Sequence, residues 1–321
     1  MLLECALVIA GLAMLVFCGD MLVRGTVSLA TALNIPALLI SLTIVAFGTS
    51  APELFVSVQA VMTGNDGISI GNIVGSNIAN VFLVLGAPAL IYPISTHVIG
   101  LRRHAVVMLA ATAAFAAAAY LHGSIDTMIG AGLFLGVLLY VAYMWHRALK
   151  SPGGEPVLED IEEFEADSGV TLKTLGFILV GLVGMPLGAH LLVSNGSAIA
   201  SGLGVREELI GLTIIAFGTS LPELATVIAA AFHKKSDVAI GGIVGSNIFN
   251  IFAVGGAAGL AGTARFDPAT LRFDLPAMIL AALVLAAFVL TRKSIGRLSG
   301  LLMTAGYLRF IGLLAANASH G

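Results

Sequence analysis

Two stretches of this chain set a glutamate inside an apolar run, beside hydroxyls and a proline, and that combination is the chemistry of a cation site. Ser41-Leu-Thr-Ile-Val-Ala-Phe-Gly-Thr-Ser-Ala-Pro-Glu-Leu54 carries Glu53, and Gly211-Leu-Thr-Ile-Ile-Ala-Phe-Gly-Thr-Ser-Leu-Pro-Glu-Leu224 carries Glu223. An ionisable group at membrane depth costs at least about 2.5 kcal/mol, so its presence marks function before packing. Proline has no N–H, so Pro52 and Pro222 free the carbonyls of Gly48 and Gly218 from their helical partners. Thr49, Ser50, Thr219 and Ser220 add hydroxyl oxygens beside them. Asn80 and Asn250 each follow their glutamate by 27 residues, on the next helix, and supply one more oxygen apiece. Oxygen donors of this kind suit hard cations. Two carboxylates give a formal charge of −2, which matches one Ca²⁺ or a few Na⁺ and mismatches anions.

Such a site needs elements that hold it inside a membrane, and the composition supplies them. Of 321 residues, 58% are hydrophobic and only 10% charged, with a mean hydropathy of +1.03. A soluble chain carries about a quarter charged residues, so the solvent here is lipid and the expected fold is all-α. A span takes about 20 apolar residues. Runs of that kind begin near residues 2, 36, 70, 104, 126, 172, 207, 239, 273 and 297, giving ten transmembrane helices. Lys and Arg gather in alternate gaps (Arg102, Arg103, Arg147, Lys150, Lys173, Lys234, Lys235, Arg292, Lys293, Arg297). The positive-inside rule makes these gaps cytoplasmic and both termini external. The first run lacks the positive start of a signal peptide and is expected to be retained. Residues 150–170 form an acidic cytoplasmic linker with seven carboxylates between Glu155 and Asp167, without the ligand spacing of an EF-hand. The net charge of −3 shows no basic excess, so nucleic acid is excluded as a partner. Cys5 and Cys18 are too few for a disulfide framework or a zinc site. No Gly-x-Ser-x-Gly or His-Glu-x-x-His motif points to an enzyme, no motif calls for a cofactor, and no obligatory protein partner is evident.

The two motifs are copies. An offset of 170 residues superposes them without a gap and also lays Gly71-Asn-Ile-Val-Gly-Ser-Asn-Ile-Ala-Asn80 on Gly241-Gly-Ile-Val-Gly-Ser-Asn-Ile-Phe-Asn250. Five spans per half is an odd number, so the halves (1–149 and 171–321) enter the membrane from opposite sides, the inverted-repeat plan of secondary transporters. Gly71, Gly75, Gly241 and Gly245 are expected to serve close helix packing. Asn77 and Asn247 should bond between helices. Asp20 and Arg24 form a helix-surface ion pair at i, i+4, and His190, the counterpart of Asp20, is a satisfied packing residue.

The paired Gly-Thr-Ser-x-Pro-Glu and Gly-Ser-Asn-Ile-x-Asn motifs resemble the cation/Ca²⁺ exchanger superfamily, in its Na⁺/Ca²⁺ exchanger branch, over essentially the whole chain. The resemblance implies a prokaryotic inner-membrane calcium/sodium antiporter of ten helices, with Ca²⁺ and Na⁺ as substrates. It implies as ligands Thr49, Ser50, Glu53 and Asn80, with Thr219, Ser220, Glu223 and Asn250, and adds the backbone carbonyls of Ala46 and Ala216. Relatives that need K⁺ carry Asp at the position of Asn250, so the neutral amide argues for K⁺ independence. A Ca²⁺/H⁺ antiporter of the same fold is the nearest rival, and a cation channel a more distant one. The hydroxyl-rich motif favours Na⁺, because a proton relay needs only titratable groups.

Overall fold

The computed structural model describes residues 2–150, 170–203 and 216–318. The acidic linker and the start of the span expected near residue 207 therefore lie outside the described residues. The described residues are mostly helical: α1 Leu2–Leu33, α2 Ala37–Thr49, α3 Ala51–Met62, α4 Asp66–Ile91, α5 Leu101–His122, α6 Thr127–Lys150, α7 Leu172–Gly202, α8 Ala216–Gly218, α9 Leu221–Phe232, α10 Ser236–Ala261, α11 Thr270–Thr291 and α12 Arg297–Ala318. Several helices start a few residues before the apolar runs do. Asp66-Gly67 and Arg102-Arg103 are polar yet helical, as a first turn can be once it reaches the polar interface of a bilayer.

Among the described residues, seven helices are long and apolar enough to cross a membrane, eight if the bent pair α2–α3 makes one crossing. This count falls short of ten. The α9 helix is apolar but only 12 residues long where described. The α12 helix has 22 residues but carries Arg297 and Arg309 among small polar residues.

The α4 and α10 helices are the innermost, with 72% and 94% of their apolar windows buried, whereas α1 shows only 22%. Burial on all sides explains the near-continuous small and branched side chains of Ile240 to Ile251. The long α1 and α7 lie side by side and antiparallel, Gly11 against Gly188, Cys18 against Gly184 and Gly25 against Ile178. A methyl on Gly11 would sit 2.7 Å from the carbonyl oxygen of Gly188, so glycine is what lets these backbones meet.

The connections gather at two ends. At one, Ile94 and Ile295 exchange backbone hydrogen bonds of 2.9 and 3.0 Å, Ser236 Oγ accepts from the Ser95 N–H at 3.0 Å, and the Arg102 guanidinium donates to the carbonyl of Leu290. At the other, β1 (Ser124–Ile125) pairs antiparallel with β2 (Ala264–Arg265), and the Arg265 N–H reaches Asp66 Oδ2 at 3.3 Å.

Candidate functional site

Both glutamates follow a helix break of the same shape. Ser50 leaves helical geometry at φ −85°, ψ 5° and Ser220 at φ −87°, ψ 5°. Pro52 and Pro222 then fall in the first turn of α3 and α9, where a missing N–H removes no helical bond, so the expectation that the prolines free the carbonyls of Gly48 and Gly218 is corrected: the chain already breaks at Ser50 and Ser220. The axes of α2 and α3 differ by 42°. At the first break the Ser50 N–H donates to the Ala46 carbonyl (3.1 Å), and at the second the Ser220 N–H donates to the Phe217 carbonyl (3.2 Å). The Ala46 carbonyl also accepts from Thr49 Oγ1 at 3.4 Å.

Glu53 is fully buried and Glu223 is 2% exposed. Ser50 Oγ donates to Glu223 Oε1 at 3.3 Å, and the hydroxyls of Thr49 and Ser246 also face that carboxylate. Thr49 Oγ1 and Ser246 Oγ are 3.4 Å apart. Ser220 is buried and Thr219 half-buried on the matching turn. Asn80 and Asn250 are buried, and each opens a π-helical turn, Asn80–Leu85 and Asn250–Val254. Such a bulge is a common device at functional sites. Each amide uses its N–H on the other half of the molecule: Asn80 Nδ2 donates to Asn247 Oδ1 at 3.1 Å, and Asn250 Nδ2 to Ser76 Oγ at 3.0 Å.

What these bonds leave over decides the chemistry. Glu53 Oε1 and Oε2, Glu223 Oε2, Asn80 Oδ1 and Asn250 Oδ1 are buried acceptors with no donor, and the Ser220 hydroxyl beside them is also unpartnered. Buried acceptors are costly unless something positive satisfies them. No three His, Cys, Asp or Glu side chains cluster among the described residues, so the charge available is that of two carboxylates, diluted by neutral oxygens.

Two participants were not singled out in the sequence, and one asymmetry visible there, Asn72 against Gly242, gains its physical account from the structure. Ser76 and Ser246 stand four residues before Asn80 and Asn250, one turn away on the same helix face, and were legible as part of the repeated motif. Asn72, which has Gly242 as its counterpart, donates through Nδ2 to the backbone carbonyl of Glu53 at 3.1 Å and to Ser57 Oγ at 2.8 Å. It pins α3 to α4 directly behind the carboxylate, and the second half has no equivalent. Asp20 does pair with Arg24 at 2.7 Å. It is also held by His233 Nε2 at 2.5 Å, which ties α1 to the end of α9.

Other expectations are corrected. Gly241 and Gly245 are packing glycines, since a methyl on Gly245 would lie 2.7 Å from Ala46 Cβ, but the same atom on Gly71 or Gly75 meets nothing within 4 Å. Asn247 bonds between helices, whereas Asn77 Nδ2 donates within its own helix, to Ile73 at 2.7 Å. His190 is exposed, and its contact is Ser194 Oγ at 3.5 Å, so it is not a packing residue.

Comparison with known proteins gives the family. Residues 3–148 and 173–315 match the family described as sodium/calcium exchanger protein. The sodium/calcium exchanger MaX1 of Methanosarcina acetivorans is 32% identical over 340 residues, covering 96% of this chain and 97% of that protein. The inner membrane protein YrbG of Escherichia coli is 35% identical over 318 residues, covering 98% and 97%. A solved structure of the sodium-calcium exchanger NCX_Mj superposes with a TM-score of 0.83 at 29% identity, over 98% of this chain and 99% of that one. The buried donor-poor oxygens, the two broken helices and the whole-chain matches agree: this chain belongs to the sodium/calcium exchanger family, as an all-helical membrane transporter and not an enzyme.

Proposed function

We propose that the chain exchanges Na⁺ for Ca²⁺ across a membrane by alternating access, with Glu53 and Glu223 as the charged ligands of one central site. The observation that carries this reading is the set of five carboxylate and amide oxygens, drawn from both halves, that are buried without a donor. Thr49, Ser50 and Asn80, with Thr219, Ser220 and Asn250, complete the ligand set, together with the carbonyls of Ala46 and Ala216. Two charges among many neutral oxygens hold one Ca²⁺ without excess charge or, in its place, Na⁺. Occupancy is then mutually exclusive, which is what exchange requires, and moderate binding permits release.

The architecture we propose is ten spans in two inverted five-helix halves, 1–149 and 171–321, joined by the acidic linker. The placement of matching segments supports it. The turn after α3 sits with Arg265, while its counterpart after α9 sits with Ser95 at the opposite end, and α1 runs antiparallel to its counterpart α7. The lysine- and arginine-rich connections share the end built on Ile94 and Ile295. Assigning that end to the cytoplasm puts both termini outside a prokaryotic inner membrane.

Hydroxyls at four positions favour Na⁺ over protons as the coupled ion, because a dehydrated cation needs them and a proton does not. ⁴⁵Ca²⁺ uptake into proteoliposomes under an imposed Na⁺ gradient tests this. Uptake driven by a pH gradient alone makes the protein a Ca²⁺/H⁺ antiporter, and Ca²⁺ leak without trans Na⁺ makes it a channel.

A further inference from the structure

At the end of the bundle that carries the basic connections, a cavity of about 420 Å³ opens between the α4–α5 connection and the end of α11. Its wall includes Thr96, His97, Arg102, Arg103 and Arg292, and no acidic residue. Among the described residues no ion pair engages any of the three arginines. Two backbone features aim this wall. Gly100, at φ 87°, turns the chain into α5, and Arg292, at φ 54°, turns it out of α11. Arg102 spends one donor on the carbonyl of Leu290, which fixes the spacing of α5 and α11. Arg102 and Arg103 occupy the first turn of α5, where the helix dipole is itself positive and basic side chains are the unfavourable choice. An anion in the cavity offsets both the dipole and the clustered guanidinium groups. Exposed apolar side chains stand beside these arginines: Ile99 in the wall is 77% exposed, and Leu290, whose carbonyl holds Arg102, is 37% exposed, as befits residues that meet acyl chains.

We infer that this cavity binds the phosphate of an anionic phospholipid headgroup, the guanidinium groups of Arg103 and Arg292 holding the phosphate and Ile99 and Leu290 meeting its chains. Phosphate is the shared chemistry of a lipid headgroup and a free anion, and the exposed Ile99 and Leu290 beside the arginines favour the lipid. The site is separate from Glu53 and Glu223 and stands whichever ion is coupled.

Native mass spectrometry of the purified full chain in detergent, titrated in parallel with phosphatidylglycerol, phosphatidylcholine and inorganic phosphate, tests the inference. The chain should retain phosphatidylglycerol and not phosphatidylcholine. Each guanidinium near a membrane phosphate contributes about fivefold, so the Arg103→Gln, Arg292→Gln double variant should bind phosphatidylglycerol about 25-fold more weakly. Arg102 is left in place because its bond to Leu290 supports the fold, and a melting curve equal to that of the native chain shows that the variant is folded. Equal phosphatidylglycerol binding by the two proteins overturns the proposal. So does displacement of the lipid by inorganic phosphate at the same concentration, or retention that emerges only after the seven carboxylates of the linker are replaced.

Discussion

Replacing Glu53 by glutamine keeps the volume and shape of the side chain and removes one of two charges. Glu53 is fully buried, with both carboxylate oxygens free of hydrogen bonds. At the proposed site of the native protein a bound Ca²⁺ would be balanced by −2. In the variant it faces −1, and one positive charge stays buried without a partner. Leaving a buried charge uncompensated costs about 3–5 kcal/mol, and each 1.4 kcal/mol is tenfold in affinity, so Ca²⁺ binding should weaken by about two to nearly four powers of ten. One Na⁺ still finds one carboxylate, so Na⁺ binding should survive better and selectivity should turn toward the monovalent ion. Without ions the variant should melt no lower than the native chain, because an unpaired buried carboxylate has been removed. Thermal melting in detergent reads all of this. A site at 100 times its Kd adds about 2.7 kcal/mol of stability, so Ca²⁺ at that concentration should raise the melting temperature of the native chain and leave the variant unmoved. ⁴⁵Ca²⁺ uptake should fall with it. A Glu53→Gln protein that Ca²⁺ stabilises as well as it does the native chain, and that exchanges at the native rate, would refute the charge argument.

Asn72→Ala removes two hydrogen bonds behind Glu53, worth about 1–3 kcal/mol together. It should raise the KM for Ca²⁺ in uptake assays while the protein stays folded, and an unchanged KM would detach Asn72 from the site. Gly245→Val places a side chain 2.7 Å from Ala46 Cβ and 2.9 Å from the Leu42 backbone and should cost about 1–3 kcal/mol through overpacking. Gly71→Ala, with nothing within 4 Å, should melt at or above the native temperature, and equal melting of the two variants would show that the close approach of α10 to α2 is unimportant. Asn250→Asp trades the amide that reaches Ser76 for a third carboxylate, so transport should come to depend on an additional cation or proton. Identical ion requirements in flux assays would show that this position does not tune coupling.

The charged and amide residues of the proposed site were visible from the repeat alone. Charged and amide side chains are so unfavourable in an apolar helix that Glu53, Glu223, Asn80 and Asn250 stand out against any lipid-facing background. Their copies at one fixed offset tie them to a single structure. Less was visible of the hydroxyls: Ser76 and Ser246 lie inside the same motif, but serine is also an ordinary small packing residue in membrane helices. Glycine misled for the same reason. Gly71 and Gly241 occupy equivalent positions, yet only Gly241 meets another helix closely, because the two copies pack against different neighbours.

By itself, the sequence determined the solvent, the helical class, the repeat and the pair of buried carboxylates, because each follows from the cost of placing a given side chain in lipid, a property of residue and depth. Which oxygens end without a donor was decided only by tertiary structure. Ser50 reaches Glu223 and Asn250 reaches Ser76 across more than 170 positions of chain, and π-helical turns at Asn80 and Asn250 re-aim side chains that an ideal helix would have pointed elsewhere. The same holds for the asymmetry of the halves. Asn72 pins the carbonyl of Glu53, where Gly242 pins nothing, and the difference has consequences only because α3 and α4 lie within hydrogen-bonding distance. Hydrogen bonds between distant segments depend on register and separation to within an ångström, and those are properties of the packed bundle.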